Sequence, residues 1–284
     1  MPARTTKSPK NPGPSDARPP KTALAVGAHP DDIEFLMAGT LLLLKGIGAE
    51  IHYLNLASGN LGSLQYDARR TAQVRGQEAR QSARLLGAHY HPPFCGDLEI
   101  LYDLKLVRRL AAVIREIEPD LILTHSPNDY MEDHQNACRL TVTAAFVRGA
   151  VNFVSVPRRQ GRPFDLTVYH SMPHGLRDAL GRKVLPGCFV NVTAVQEQKL
   201  TALQQHRSQQ HWLGATQKLN SYTRTMVDMS REMGRQSGKF PLAEGWRRHS
   251  HLGFCLAEAD PLQHLGRDYL PNPAYRKLLE TPYI

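Results

Sequence analysis

LAVGAHPDDIEFLM, residues 24–37, joins a short apolar run to a helical pattern through one histidine, one proline and two adjacent aspartates. A strand buried on both faces reads as near-continuous apolar residues, and TALAVGA (22–28) fits that reading. Ile33 to Lys45 then reads as a helix stopped at Gly46. Three polar side chains at the tip of a buried strand gain nothing from burial. His29, Asp31 and Asp32 therefore mark either an ordinary loop or the place where the chemistry sits.

The same alternation continues downstream. IHYLNLA (51–57) reads as a second strand, followed by the polar loop SGNLGSLQYD and an amphipathic helix over 68–86 that ends at Gly87. HYHPPFC (89–95) is a short third strand, Leu104 to Ile117 a helix stopped by Pro119, and DLILTH (120–125) a fourth strand. After the loop SPNDYMED a helix runs from His134 to about Val147. Strands alternating with helices imply βαβ units and an α/β fold. The second half is less regular: strands at 165–172 and 188–193, helices at 194–212 and about 214–233, then a loop-rich wrap over the sheet. The expected architecture is a Rossmann-like, mostly parallel sheet with helices on both faces. It forms one domain over 22–284, with a C-terminal extension from about 214.

Composition narrows the function classes. Hydrophobic residues make up 41% and charged residues 21%, as in ordinary soluble globular proteins. The net charge is +9, but residues 1–21 hold five basic residues and one acidic one. This Pro-, Ser- and Lys-rich tail has too little apolar surface to fold alone and is expected to be disordered. No run of five like charges follows it, so nucleic-acid binding is not expected. No stretch is long and apolar enough for a membrane span, and the tail lacks the apolar region of a signal peptide. Four dispersed cysteines without a CxxC pair argue for reduced thiols and a cytoplasmic location.

In open α/β sheets ligands bind beyond the carboxyl ends of the strands. That rule brings AHPDD, SGNLGS and HSPNDYMEDH to one edge. His29 and Asp32 are three residues apart across a turn. The fourth-strand loop adds Asp129, Glu132, Asp133 and His134. Imidazoles and carboxylates from separate segments are what a catalytic zinc site uses, with a position left open for water. The alternative is structural: Asp31 or Asp32 capping a helix, Pro30 in its first turn, and His29 bonded within the loop. The spacing alone leaves both readings open.

The order of these motifs resembles the PIG-L/LmbE-like family of zinc-dependent N-acetylglucosaminyl de-N-acetylases. AHPDD is followed by VRGQEARQSARLLGA (74–88), PNDYMEDHQNA (127–137), KLTALQQHRSQ (199–209) and GRQSGKFPLAEGWR (234–247), and the similarity covers about residues 22 to 250. It implies His29, Asp32 and His134 as ligands of Zn2+, or of another divalent transition metal such as Fe2+. It implies Asp31 as general base and Arg75 as a substrate contact; without the resemblance, Arg75 reads as an i,i+3 ion-pair partner of Glu78. Asp133 and Tyr130 are grouped with Arg75 as substrate contacts. Asp129 matches the family loop but also suits an Asx turn.

One position departs from the family pattern: Met131 stands where the loop carries a histidine, and a thioether cannot donate a proton. Candidates to take over are His206, Tyr130, His170 and His174. His206 ranks first through its HRSQ motif, with a helix-surface histidine against Trp212 or Gln210 as the bland alternative. SGNLGS lacks GxGxxG spacing and more readily shapes a sugar pocket than cradles phosphate. The implied function is removal of an acetyl group from an N-acetylglucosamine-type conjugate, a small-molecule substrate; a homo-oligomer is allowed. The alternative is a carbohydrate-binding protein whose catalysis is impaired by Met131.

Overall fold

The computed structural model describes residues 18–217 and 222–280. Its eight strands are β1 (Thr22–Gly27), β2 (Glu50–Asn55), β3 (His89–His91), β4 (Leu121–Thr124), β5 (Thr167–Ser171), β6 (Cys188–Asn191), β7 (Ala243–Arg248) and β8 (Tyr269–Pro271). They form one sheet in the order β3-β2-β1-β4-β5-β7-β6-β8. The first five are parallel, and the β5–β7, β6–β7 and β6–β8 pairs are antiparallel.

The helices are α1 (Asp32–Leu36), α2 (Ala38–Gly46), α3 (Ala68–Leu86), α4 (Leu104–Ile117), α5 (Glu132–Phe146), α6 (Gln196–Leu203), α7 (Arg207–Gln217), α8 (Tyr222–Ser237) and α9 (Pro273–Glu280). Side chains alternate across a strand, so β1 serves two cores. Ala23 and Ala25 pack with residues of α2, α3 and α6, whereas Leu24 and Val26 pack with residues of α4 and α5. The expected α/β architecture with helices on both faces is present. The extension is more ordered than the expected wrap, because β7 enters the sheet between β5 and β6.

Most of the expected tail, residues 1–17, lies outside the described residues. Residues 18–21 reach the sheet: Arg18 pairs with Asp120, whose carboxylate also accepts the Lys21 and Thr22 amides. Two expected helices are each divided. Met37 (φ −131°) separates α1 from α2, and residues 204–206 separate α6 from α7.

The first division has a structural use. It exposes the amides of Gly39 and Thr40 at the start of α2, where a helix lacks internal acceptors. Glu244 on β7 accepts both at 2.8 Å, together with the Thr40 hydroxyl and the Lys199 ammonium at 2.7 Å. Trp246 donates its indole N–H to the same Thr40 hydroxyl. Lys199 and Glu244 are both buried, so removing one partner strands the other. Glu244→Ala is expected to cost about 3–5 kcal/mol, read as a lower urea midpoint at unchanged m-value. A Glu244→Gln/Lys199→Met double variant should lose less.

Candidate metal centre and active site

In the parallel half the order of strand addition reverses between β1 and β4, the crevice where ligands of open α/β sheets bind. The loops after these two strands meet there. Asp31 adopts a left-handed backbone conformation (φ 106°), and this turn lets α1 start directly after the strand. Asp32 Oδ2 accepts the amides of Ala28 and His29 at 3.1 and 2.7 Å, which fixes the carboxylate at the strand tip.

His29, Asp32 and His134 each place one ligand atom within 4.8 Å of the others. His29 Nε2 donates to Asp133 Oδ2 (2.8 Å), leaving Nδ1 at 3.6 Å from Asp32. His134 Nδ1 donates to Asp129 Oδ1 (3.0 Å), leaving Nε2 at 3.4 Å from Asp32. Each imidazole therefore keeps one lone pair for the shared locus while a carboxylate holds its other nitrogen. Metal-ligating histidines are oriented in this way, and the donor set fits a divalent transition metal such as zinc. Burial would lower both imidazoles, but the carboxylates outweigh it. Asp133 and Asp32 push His29 up to about 9, and Asp32 and Asp129 push His134 up to about 10. Burial opposes the Asp32 charge, yet His134 and His125 hold its carboxyl well below the usual range.

A second close grouping, His125, Asp129 and His134, lies behind the first. His125 stacks on His134 with centroids 4.2 Å apart, and its Nε2 accepts the Ala28 amide at 2.9 Å. Burial holds His125 low and His134 adds to that, so it is a neutral ring that fixes the plane of His134. His125 was not singled out from the sequence, although it stands at the tip of the fourth strand, where ligand-binding residues are expected.

Asp31 borders the ligand cluster. The Tyr222 hydroxyl donates to its Oδ2 at 2.5 Å, and Arg75 Nη2 lies 3.6 Å from Oδ1. Burial pushes Asp31 up to about 6 against the pull of Arg75, with Asp32 adding to the rise. Tyr222 lies 191 residues downstream, and no local signal in the sequence connects it to Asp31.

Four residues stand differently from expectation. Arg75 does not pair with Glu78. It is buried, donates to the Pro30 carbonyl at 2.6 Å and leans on Gly59, whose Cβ would come within 2.7 Å of the guanidinium. It supports the Asp31 loop from beneath. Glu78 instead binds the Ser208 amide and hydroxyl, tying α3 to α7. His206 is fully enclosed, with Nε2 3.1 Å from the equally enclosed Glu34, which also accepts the Tyr53 hydroxyl. Because it packs on the inner side of α1, His206 cannot reach a substrate as a proton donor, nor does it lie on a helix surface. Asp133 is likewise enclosed behind His29, where it also accepts the Leu98 amide. Tyr130 is 58% exposed and stands edge-on to His134. Asp129 serves both expected purposes, accepting the Met131 amide as well as His134. SGNLGS offers no phosphate cradle, since Asp97 already accepts its Gly59 and Leu61 amides.

Fold and site together define a Rossmann-like protein in which His29, Asp32 and His134 are grouped closely enough to hold a metal ion, with the Asp31 carboxyl beside them. Residues 24–145 match the family model described as PIG-L, GlcNAc-PI de-N-acetylase. The matched residues carry both candidate ligand loops, and over them the chain is similar to the PIG-L family. It is 29% identical over 201 residues to the 4-oxalmesaconate hydratase of Pseudomonas putida, covering 68% of this chain and 76% of that one. It is 29% identical over 197 residues to the diacetylchitobiose deacetylase of Thermococcus kodakarensis, covering 66% and 70%. The fold is similar to that of the N,N'-diacetylchitobiose deacetylase of Pyrococcus horikoshii, with TM-score 0.70, 23% identity and coverage of 82% and 85%.

Proposed function

We propose that the protein is a zinc-dependent amidohydrolase that removes an acetyl group from an N-acetylglucosamine-type conjugate. The observation that carries this reading is the placement of Asp31 beside three converging ligands, each held by its own supporting groups. A bound divalent cation would acidify a water molecule and polarise the amide oxygen. Asp31 takes the proton of the attacking water as the new C–O bond forms. It returns that proton to the nitrogen as the C–N bond breaks, so acetate and a free amine leave. A carboxyl near 6 suits both transfers better than one near 4. Tyr222 and Arg75 hold Asp31 in place, and Tyr130 offers a ring to the sugar at the mouth. Four free thiols fit a cytoplasmic location. Among the described residues no helix is long and apolar enough to cross a membrane.

The matched hydratase supports a second reading, in which the same base and cation direct water onto an unsaturated acid. Zinc-loaded protein incubated with N-acetylglucosamine and its glycosides separates the two. Primary amine and acetate in equal amounts are expected. No amine from any of them, with consumption of a conjugated dicarboxylate instead, would replace the deacetylase reading with the hydratase one.

A further inference from the structure

The second half of the chain contributes two rings to the site, His174 and Tyr222. Rings run in a continuous arc from the ligand cluster to Asp31. Tyr130 lies 5.7 Å from His134, His174 lies 5.8 Å from Tyr130, Phe35 lies 5.2 Å from His174, and Tyr222 lies 5.3 Å from Phe35, all between centroids. The arc closes on Asp31 through the Tyr222 hydroxyl. His174 stands in the middle of the arc, between Tyr130 and Phe35.

Apart from Tyr130, whose ring is largely exposed at the mouth, the other groups of the arc are committed or apolar. The Tyr222 hydroxyl is given to Asp31, both His134 nitrogens are engaged by the centre, and Phe35 has no donor. His174 is half-buried, and its ring nitrogens have no hydrogen-bond partner among the described residues. The other histidines near this edge are spent elsewhere: His125 and His206 are enclosed, and His170 bonds the His125 carbonyl and His249.

We propose that His174, set between Tyr130 and Phe35 with its ring nitrogens unengaged, is a catalytic residue that donates a hydrogen bond to the reacting amide as charge develops on it. This inference rests on the amidohydrolase reading. Burial holds His174 below its usual range; Asp129 and Asp32 pull it upward and His134 pushes it down. The ring is thus neutral at neutral pH and keeps its N–H proton throughout. The protons of the reaction pass through Asp31, and His174 supplies a fixed dipole. A donor preorganised toward a developing charge contributes about 10²–10³-fold to kcat.

The test compares His174→Phe, which keeps the ring and loses the donor, with His174→Gln, which keeps a donor and cannot titrate. His174→Phe is expected to lower kcat by about 10²–10³-fold while zinc content and KM stay near wild type. His174→Gln should recover at least about tenfold of that loss, with the pH profile keeping its shape. Calorimetry with a phosphonamidate analogue of the tetrahedral species should show weaker binding to His174→Phe and unchanged binding of the product amine. Wild-type rates in His174→Phe, or equal impairment of both variants, would overturn the assignment while leaving the amidohydrolase reading intact. A wild-type protein that releases no amine removes both.

Discussion

His134→Ala should purify without a stoichiometric divalent cation and show no turnover above background. The substitution takes one of three ligands and leaves His29 and Asp32 alone to hold the ion. It also strips Asp129 of the imidazole it supports, although the Met131 amide remains. Asp133→Asn provides the graded comparison. It keeps all three ligands but removes the carboxylate behind His29, so affinity should fall about 10–100-fold. Both are read by metal analysis after dialysis, with thermal unfolding as the control for folding. The sign of the pH dependence follows from the same contacts. In the metal-free chain His29 is raised to about 9 and His134 to about 10, so both carry protons at neutral pH. A cation must displace those protons, so affinity rises with pH until the imidazoles deprotonate unaided. Calorimetry in buffers of different ionisation enthalpy should therefore report proton release on binding. A full complement of zinc in His134→Ala would mean that the ion sits elsewhere.

The centre of the parallel half was legible because β1 and β4 are buried on both faces and read as apolar runs, each ending in a recognisable loop. Helices α3 and α4 declare themselves by period and by stop signals: Gly87 is left-handed after α3, and Glu118 before Pro119 is left-handed after α4. In the antiparallel half β6 still reads as a strand, but β7 carries no such pattern. AEGWRR in β7 has neither alternation nor β-branched residues, because its positions serve tertiary partners: Glu244 the start of α2, and Trp246 the Thr40 hydroxyl. Strand preference that depends on neighbours is invisible before those neighbours are placed.

The site divides in the same way. Candidate ligands can be found because they lie in two contiguous segments at strand tips. His206 and Arg75 carry the right chemistry at the right spacing, yet spacing does not say which side of α1 each will face. Both fall on its inner side and support the loop that bears Asp31. His174 follows β5 after Met172 and Pro173, and only the sheet order, which sets β5 beside β4, brings it to Tyr130.

Asp31→Asn should retain bound zinc and lose about 10²–10⁴-fold in kcat, the range for removing a general base or acid. Asparagine is the informative replacement because residue 31 has φ 106°, a region that Asn tolerates better than Ala. An alanine there would mix backbone strain with lost chemistry, whereas the amide preserves shape and can still meet the Tyr222 hydroxyl and Arg75. With His29, Asp32 and His134 as the proposed ligands, occupancy in the Asn variant should match wild type. In the wild type, Asp31 must be ionised to accept a proton. Burial places it at about 6, and a nearby divalent cation favours the ionised form. Activity should then fall as pH drops through about 6 or below, and Asp31→Asn should lack that limb in its residual rate. A variant that keeps zinc and near-wild-type turnover would assign the proton transfers to another group. A variant that loses zinc would instead make Asp31 part of the ligand set, and the two-histidine, one-carboxylate centre would have to be redrawn.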